Sequence, residues 1–209
     1  ELVNGDEKVV LHHLRQQAEK PVERPNLCLA DFIAPKPSGV EDWIGGFAVT
    51  AGLGIEQHLA RFQDEHDDYS AILLKALADR FAEALAEYMH RKVRTELWGY
   101  APDENLDNEA LIAEKYRGIR PAPGYPACPE HTVKRVLFET LQADAIGMHL
   151  TEGYAMMPAS SVSGFYFSHP RSKYFRVGAI DEAQARDMAQ RSGVPLEEVL
   201  KALAPNLNL

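Results

Sequence analysis

Four prolines and a glycine within twelve residues, Arg120-Pro121-Ala122-Pro123-Gly124-Tyr125-Pro126-Ala127-Cys128-Pro129-Glu130-His131, limit what this chain can fold into more than any other segment. Each proline fixes φ at about −65° and removes a backbone donor. Each also pushes its predecessor toward extended geometry. No helix can run through such a stretch, so the chain is expected to cross it as a stiff extended strip. The N–H and C=O groups that remain are not expected to pair regularly with neighbours. Backbone polar groups need partners when buried, and a bound ligand is one source of them. Arg120 at the start is a planar fork of donors matched to a carboxylate. Gly124 permits close approach or an unusual φ, and Tyr125 offers an aromatic face and a hydroxyl. Two readings follow: a ligand site, or a rigid surface connection between helices.

The rest of the composition is that of an ordinary globular chain. It has 209 residues, 45% hydrophobic and 25% charged, enough for one domain or a large piece of one. No apolar run approaches the roughly 20 residues that span a membrane. The N-terminal Glu1-Leu2-Val3-Asn4-Gly5-Asp6 has neither the basic start nor the apolar stretch of a secretory signal. The two cysteines, Cys28 and Cys128, form no disulfide framework and point to a reducing, cytoplasmic setting. A formal net charge of −9 argues against non-specific nucleic-acid binding and suits a cationic ligand or a basic protein face. The abrupt polar opening resembles a piece cut from something longer.

Hydrophobic periodicity predicts an α+β fold with a mainly antiparallel twisted sheet and flanking helices. Short strands are expected at 9–11, 27–33 and 43–50, the last with a bulge or close approach at Gly45-Gly46. The pattern turns helical from Ile55. One long helix is expected near 66–94, broken near its start, with Tyr69, Ile72, Leu73, Ala76, Leu77, Phe81, Ala84, Leu85 and Tyr88 at helical spacing. Asp107 is placed to cap a short helix, and Pro129 to open one over 130–143. Strands at 162–167 and 174–180 are expected to pair through the turn 168–173. Asp181 caps a helix that Gly193 stops, and Pro195 starts a last one to 203.

Few residues stand out chemically. Asp79, Glu83 and Glu87 lie at i, i+4 and i+8 on the long helix, with Lys75 and Arg91 flanking. By spacing this is a solvated helix face. Tyr174-Phe175 either stacks on a purine or packs in a core. His12, His13, His131, His149 and His169 with the two cysteines have no metal-like spacing, so no metal site is expected. No nucleophile elbow, phosphate loop or dinucleotide glycine pattern occurs, and no catalytic side chain is expected.

The proline strip resembles the signature of the activation domain of cobalamin-dependent methionine synthase. The likeness continues in order through His12-His13-Leu14-Arg15-Gln16-Gln17, Leu29-Ala30-Asp31-Phe32, His66-Asp67-Asp68-Tyr69, Ala76-Leu77-Ala78-Asp79-Arg80 and Trp98-Gly99-Tyr100-Ala101-Pro102. It extends to Ser161-Val162-Ser163-Gly164-Phe165-Tyr166-Phe167-Ser168-His169-Pro170 and Leu203-Ala204-Pro205-Asn206-Leu207. The resemblance implies that residues 1–209 are such a domain, lacking its N-terminal part. The family's domain begins earlier, with an Asp-Trp-x-Pro-Phe-like segment that this chain does not contain.

The resemblance further implies a domain of a methyltransferase (5-methyltetrahydrofolate–homocysteine methyltransferase), unable to turn over alone. Such a domain holds S-adenosylmethionine for reductive remethylation of cob(II)alamin, with electrons from flavodoxin or a flavin reductase. Cobalamin and zinc belong to other modules, and the partner is the enzyme's own cobalamin-binding domain. On this resemblance Arg120 pairs the methionine carboxylate. The Ala122 and Gly124 backbone meets the adenosyl part, and Tyr125, Tyr174 and Phe175 are aromatic contacts. Phe175 departs from the family's usual tyrosine, so no hydroxyl contact carries over there. Glu83 is assigned to the ligand and Asp79 to the cobalamin domain. A separately encoded activator, an S-adenosylmethionine sensor and a ligand-free docking module for a cobalamin domain remain open alternatives.

Overall fold

The computed structural model describes residues 2–4 and 7–207. The fold is α+β. Six helices of α type are described: α1 Glu56–Asp64, α2 Asp68–Lys92, α3 Asn108–Ile112, α4 Val133–Leu141, α5 Glu182–Ser192 and α6 Leu196–Leu203. Six strands form three two-stranded sheets among the described residues: β1 Leu2–Asn4 antiparallel to β2 Glu7–Val9, β3 Gly45–Thr50 with β6 Ser161–Tyr166, and β4 His149–Leu150 antiparallel to β5 Met156–Met157. No described helix is long and apolar enough to cross a membrane.

Helix starts follow local side-chain chemistry, at Asp107 and Asp181 as read from the sequence and at Asp67 as the structure adds. Asp67 accepts from the Ser70 N–H at 3.0 Å, Asp107 from Ala110 at 2.8 Å and Asp181 from Gln184 at 2.8 Å. The long helical run is broken between α1 and α2, where His66 sits at φ 54°. It ends in a π turn, Val93–Leu97. There the fully buried Arg94 forks onto Glu104 through Nε and Nη2 at 2.7 and 2.8 Å, with its guanidinium carbon 4.3 Å from the centre of the Tyr116 ring. Gly46 is a place of close approach: a Cβ there would lie 2.8 Å from Leu137 Cδ1.

Three expectations fail, each for a physical reason, and of the strand read at 9–11 only Val9 lies in one, β2. Residues 27–33 are no strand but a 3-10 turn, Leu29–Phe32. Asp31 takes the Cys28 N–H at 2.9 Å and the Arg15 fork at 2.6 Å, a local bond that competes with a ladder. Residues 174–180 form no strand, and the expected hairpin with 162–167 is absent. The Val177 N–H goes to the Pro126 carbonyl at 2.8 Å, and that of Ile180 to Asn206 at 2.8 Å. The helix after the strip starts at Val133 rather than 130, because Glu130 takes the Thr132 N–H at 2.7 Å in a tighter turn. Helix α2 itself buries Ala78, Ala82, Ala86 and His90, while Tyr69, Ile72, Leu73, Leu77, Phe81 and Tyr88 stay exposed and Leu85 is half-buried. Alanines let a helix approach its neighbours closely; the bulky face points away.

The chain divides into two compact units: residues up to Gly45, Gly118–Val136 and Phe165 onward in the first, Gly46–Arg117 and Leu137–Gly164 in the second. The first has a core of Leu14, Val177, Ile180, Ala185, Met188, Val199 and Leu203. In the second, Phe138, Ala143 and Met148 pack with Ala48, Leu150 and Met156.

Candidate functional site

The proline strip lies in the first unit and is better satisfied than its sequence implies. Ile119 and Phe167 exchange both backbone hydrogen bonds at 3.0 Å, and the Phe165 N–H donates to the Pro121 carbonyl at 3.0 Å. Proline lacks a donor, but its C=O still accepts, so one edge of the strip pairs regularly. Further along, Gly124 N–H donates to Cys128 C=O at 2.7 Å and Cys128 N–H to Tyr125 C=O at 2.9 Å. This tight reversal turns Gly124 and Tyr125 outward, both exposed. It also commits the Gly124 N–H. Gly124 sits at φ 95°, and a Cβ there would lie 2.8 Å from His131 Nε2.

A polar pair, exposed His131 and buried Lys134, lies just after the strip. His131 Nδ1 lies 3.0 Å from the Lys134 Nζ, and Lys134 is only 6% exposed. Burial lowers the affinity of Lys134 for its proton, and burial together with Lys134 holds His131 below its ordinary value. Burial pushes the Cys128 thiol up to about 12, helped by Glu130, and raises Cys28 as well. Both thiols are free and protonated at neutral pH, which makes them packing groups rather than nucleophiles. Among the described residues no three His, Cys, Asp or Glu side chains gather as a metal-holding group.

Tyr174 is brought to the strip. Its hydroxyl accepts from the Arg120 backbone N–H at 3.0 Å. Phe175 turns the other way, against the core of the first unit and edge-on to Phe32 at 6.4 Å. The pair therefore splits its duties: one ring at the surface, one in the core. A groove of about 560 Å³ runs beside the reversal, bounded by Gly124, Tyr125, Pro129, Arg176, Gly178 and the stretch 205–207. Arg176 and Lys134 went unnoticed in the sequence; a single cation outside any pattern carries no signal there. The strip thus offers a guanidinium fork, backbone groups and two tyrosines, equipment for holding a ligand rather than for covalent chemistry.

The acidic residues belong to the second unit. Asp79 and Glu83 are exposed on α2. Asp79 Oδ1 accepts from the buried Ser160 hydroxyl at 2.7 Å, which anchors the carboxylate to the segment entering β6. The structure thus gathers Arg120, Ala122, Gly124, Tyr125, Tyr174 and Phe175 in one unit and Asp79 and Glu83 in the other.

Residues 2–193 match the family model described as vitamin B12 dependent methionine synthase, activation domain. Among solved structures, the crystal structure of the MetH reactivation domain bound to AdoHcy is similar, with a TM-score of 0.91 and 58% sequence identity. The match covers 95% of this chain and 61% of that one, so the chain spans about three fifths of the relative's length.

Proposed function

Because the chain belongs to the family of vitamin B12 dependent methionine synthase activation domains, we propose that it is a reactivation module that binds S-adenosylmethionine and presents its methyl group to oxidised cobalamin. Arg120 pairs the ligand's carboxylate, and the backbone at Ala122 and Gly124 meets the adenosyl part. Tyr125 and Tyr174 flank it, while Phe175 holds Tyr174 in place from the core. The family resemblance assigns Glu83 to the ligand's positive charge and Asp79 to the cobalamin-carrying module. Cobalamin, in a neighbouring module of the same enzyme, supplies the methyl-accepting chemistry. The electron comes from flavodoxin or a flavin reductase, and zinc belongs with homocysteine in a further module.

One observation carries the reading: the Arg120 backbone is bonded to the Tyr174 hydroxyl, so two residues 54 apart in sequence form one surface. AdoHcy, bound by the similar reactivation domain, is the demethylated counterpart of the proposed ligand. The site needs no side-chain nucleophile, because positioning and charge are all that methyl donation asks of the protein. Isothermal titration of the parent polypeptide with S-adenosylmethionine and with AdoHcy tests it. Saturable binding of both, weakened by Arg120→Ala, is expected; equal affinity in parent and variant removes the assignment.

A further inference from the structure

Asp79 is exposed on α2, where water alone would solvate its carboxylate, yet Oδ1 accepts the Ser160 hydroxyl at 2.7 Å from 81 residues away in sequence. Ser160 is only 3% exposed, and its backbone is fixed independently of that bond. The Ser160 carbonyl accepts from the Ala51 N–H at 3.0 Å and from the Thr50 hydroxyl at 3.1 Å. Thr50 Oγ1 in turn accepts the Gly52 N–H at 3.1 Å. A Cβ on Gly52 would lie 2.5 Å from Pro158 Cβ and 3.6 Å from Ser160 Cβ, so the two backbones are packed directly on one another.

Most side-chain hydrogen bonds in proteins go to backbone or water. The Ser160 proton goes instead to an exposed carboxylate, and its consequence there is orientational. A free surface aspartate samples several rotamers and gives up that freedom when a partner docks. Here one oxygen is already engaged by a rigid donor and the other, Oδ2, is left to accept from outside. We propose that Ser160 is a positioning residue for Asp79: it holds the carboxylate in the orientation that receives a donor of the cobalamin-carrying module. This role rests on the reading that Asp79 meets that module. Fixing one side chain before docking is worth about 3–10-fold in the docked population.

The test measures reactivation in the full-length polypeptide, following the visible spectrum of cob(II)alamin under a chemical reductant as S-adenosylmethionine is varied. The parent is compared with Ser160→Ala, Asp79→Asn and the double variant, each at low salt. Ser160→Ala should lower the maximal rate about 3–10-fold and leave the half-saturating S-adenosylmethionine concentration unchanged. Asp79→Asn should lower the rate at least as far, and adding Ser160→Ala to it should cost little more, because an orientation without a charge has nothing to receive. A Ser160→Ala variant that slows the Asp79→Asn background as much as the parent would show Ser160 to be merely structural and overturn the proposal. A raised half-saturating concentration at an unchanged maximal rate would place Ser160 with the ligand and overturn it too. If Asp79→Asn slows reactivation while Ser160→Ala does not, the positioning role falls and the reading of Asp79 stands. If Asp79→Asn reactivates as fast as the parent, that reading falls and the positioning role with it.

Discussion

The Tyr174 hydroxyl accepts the backbone N–H of Arg120 at 3.0 Å, fastening the start of the proline strip to a segment 54 residues away. The bond fixes where the Arg120 fork begins. Tyr174→Phe keeps the ring and removes the acceptor, at a stability cost of about 0.5–1.5 kcal/mol because water can replace it. S-adenosylmethionine affinity should fall several-fold, through a looser strip. Arg120→Ala should cost more, about 2–4 kcal/mol of binding, with the fold intact. Titration calorimetry beside thermal melts separates the two effects. A Tyr174→Phe variant that melts lower but binds equally well would reduce the hydroxyl to a structural tie.

Gly124 is constrained twice, by φ 95° and by the His131 ring packed where a Cβ would stand. Gly124→Ala should destabilise by about 2–3 kcal/mol, combining an unfavourable φ with the steric clash. Adding His131→Ala removes the clash but not the φ penalty, so the double variant should recover roughly 1 kcal/mol. Denaturant titration of both variants decides it. No recovery would mean that the backbone conformation alone accounts for the cost.

What was legible in the sequence was local. Asp107 and Asp181 reach N–H groups three residues on, and each cap forms as read; Asp67 caps α2 in the same way without having been singled out. The proline strip and Gly46 were legible for the same reason: their backbone restrictions do not depend on distant residues. Pairing partners were not. The edge at Phe165 and Phe167 was expected to meet 174–180 and instead meets Ile119 and Pro121, a choice made by tertiary packing. Periodicity placed α2 correctly but could not say which face turns inward, because alanines and large apolar residues both repeat at helical spacing. The family resemblance pointed to Arg120 and Tyr174, and the fold joins the two by a hydrogen bond. Lys134, which is buried, and Arg176, which lines the groove, become visible only in the folded chain.

Arg94 is fully buried against Glu104 at the end of α2, with both carboxylate oxygens engaged. Glu104→Gln leaves a buried guanidinium without a counter-charge. The expected loss is about 3–5 kcal/mol, measured by denaturant unfolding. Replacing Arg94 and Glu104 together with Met and Leu should cost less than the single change. A single variant as stable as the parent would show that the cation over Tyr116 needs no carboxylate.

Asp79 has a structural tie as well as a charge. Asp79→Asn retains an oxygen for the Ser160 hydroxyl, whereas Asp79→Ala leaves that hydroxyl buried without its partner. Asp79→Asn should therefore leave thermal stability within about 0.5 kcal/mol, and Asp79→Ala should lower it by about 1 kcal/mol or more. If Asp79 also faces the cobalamin-carrying module, Asp79→Asn should slow reactivation, most clearly at low salt. Unchanged reactivation at every ionic strength would leave it a purely structural acid.

His13 should make stability depend on pH. Burial lowers its pKa from 6.5 to about 4, with His12 and Arg191 adding to the effect, and its ring lies edge-on to Phe165 at 6.4 Å. At pH 7 the imidazole is neutral in folded and unfolded chains alike, so it costs nothing. As pH falls below 6.5 the unfolded chain takes up the proton first, and folding weakens progressively until about pH 4. The loss across that window should be on the order of 2–3 kcal/mol. His13→Gln cannot titrate, so its stability relative to the parent should rise by that amount between pH 7 and pH 4.5. His12 and the carboxylates titrate in both proteins and cancel in the difference. Denaturant unfolding of the pair at the two pH values reads it directly, and parallel pH profiles would show that the folded chain accommodates the His13 proton after all.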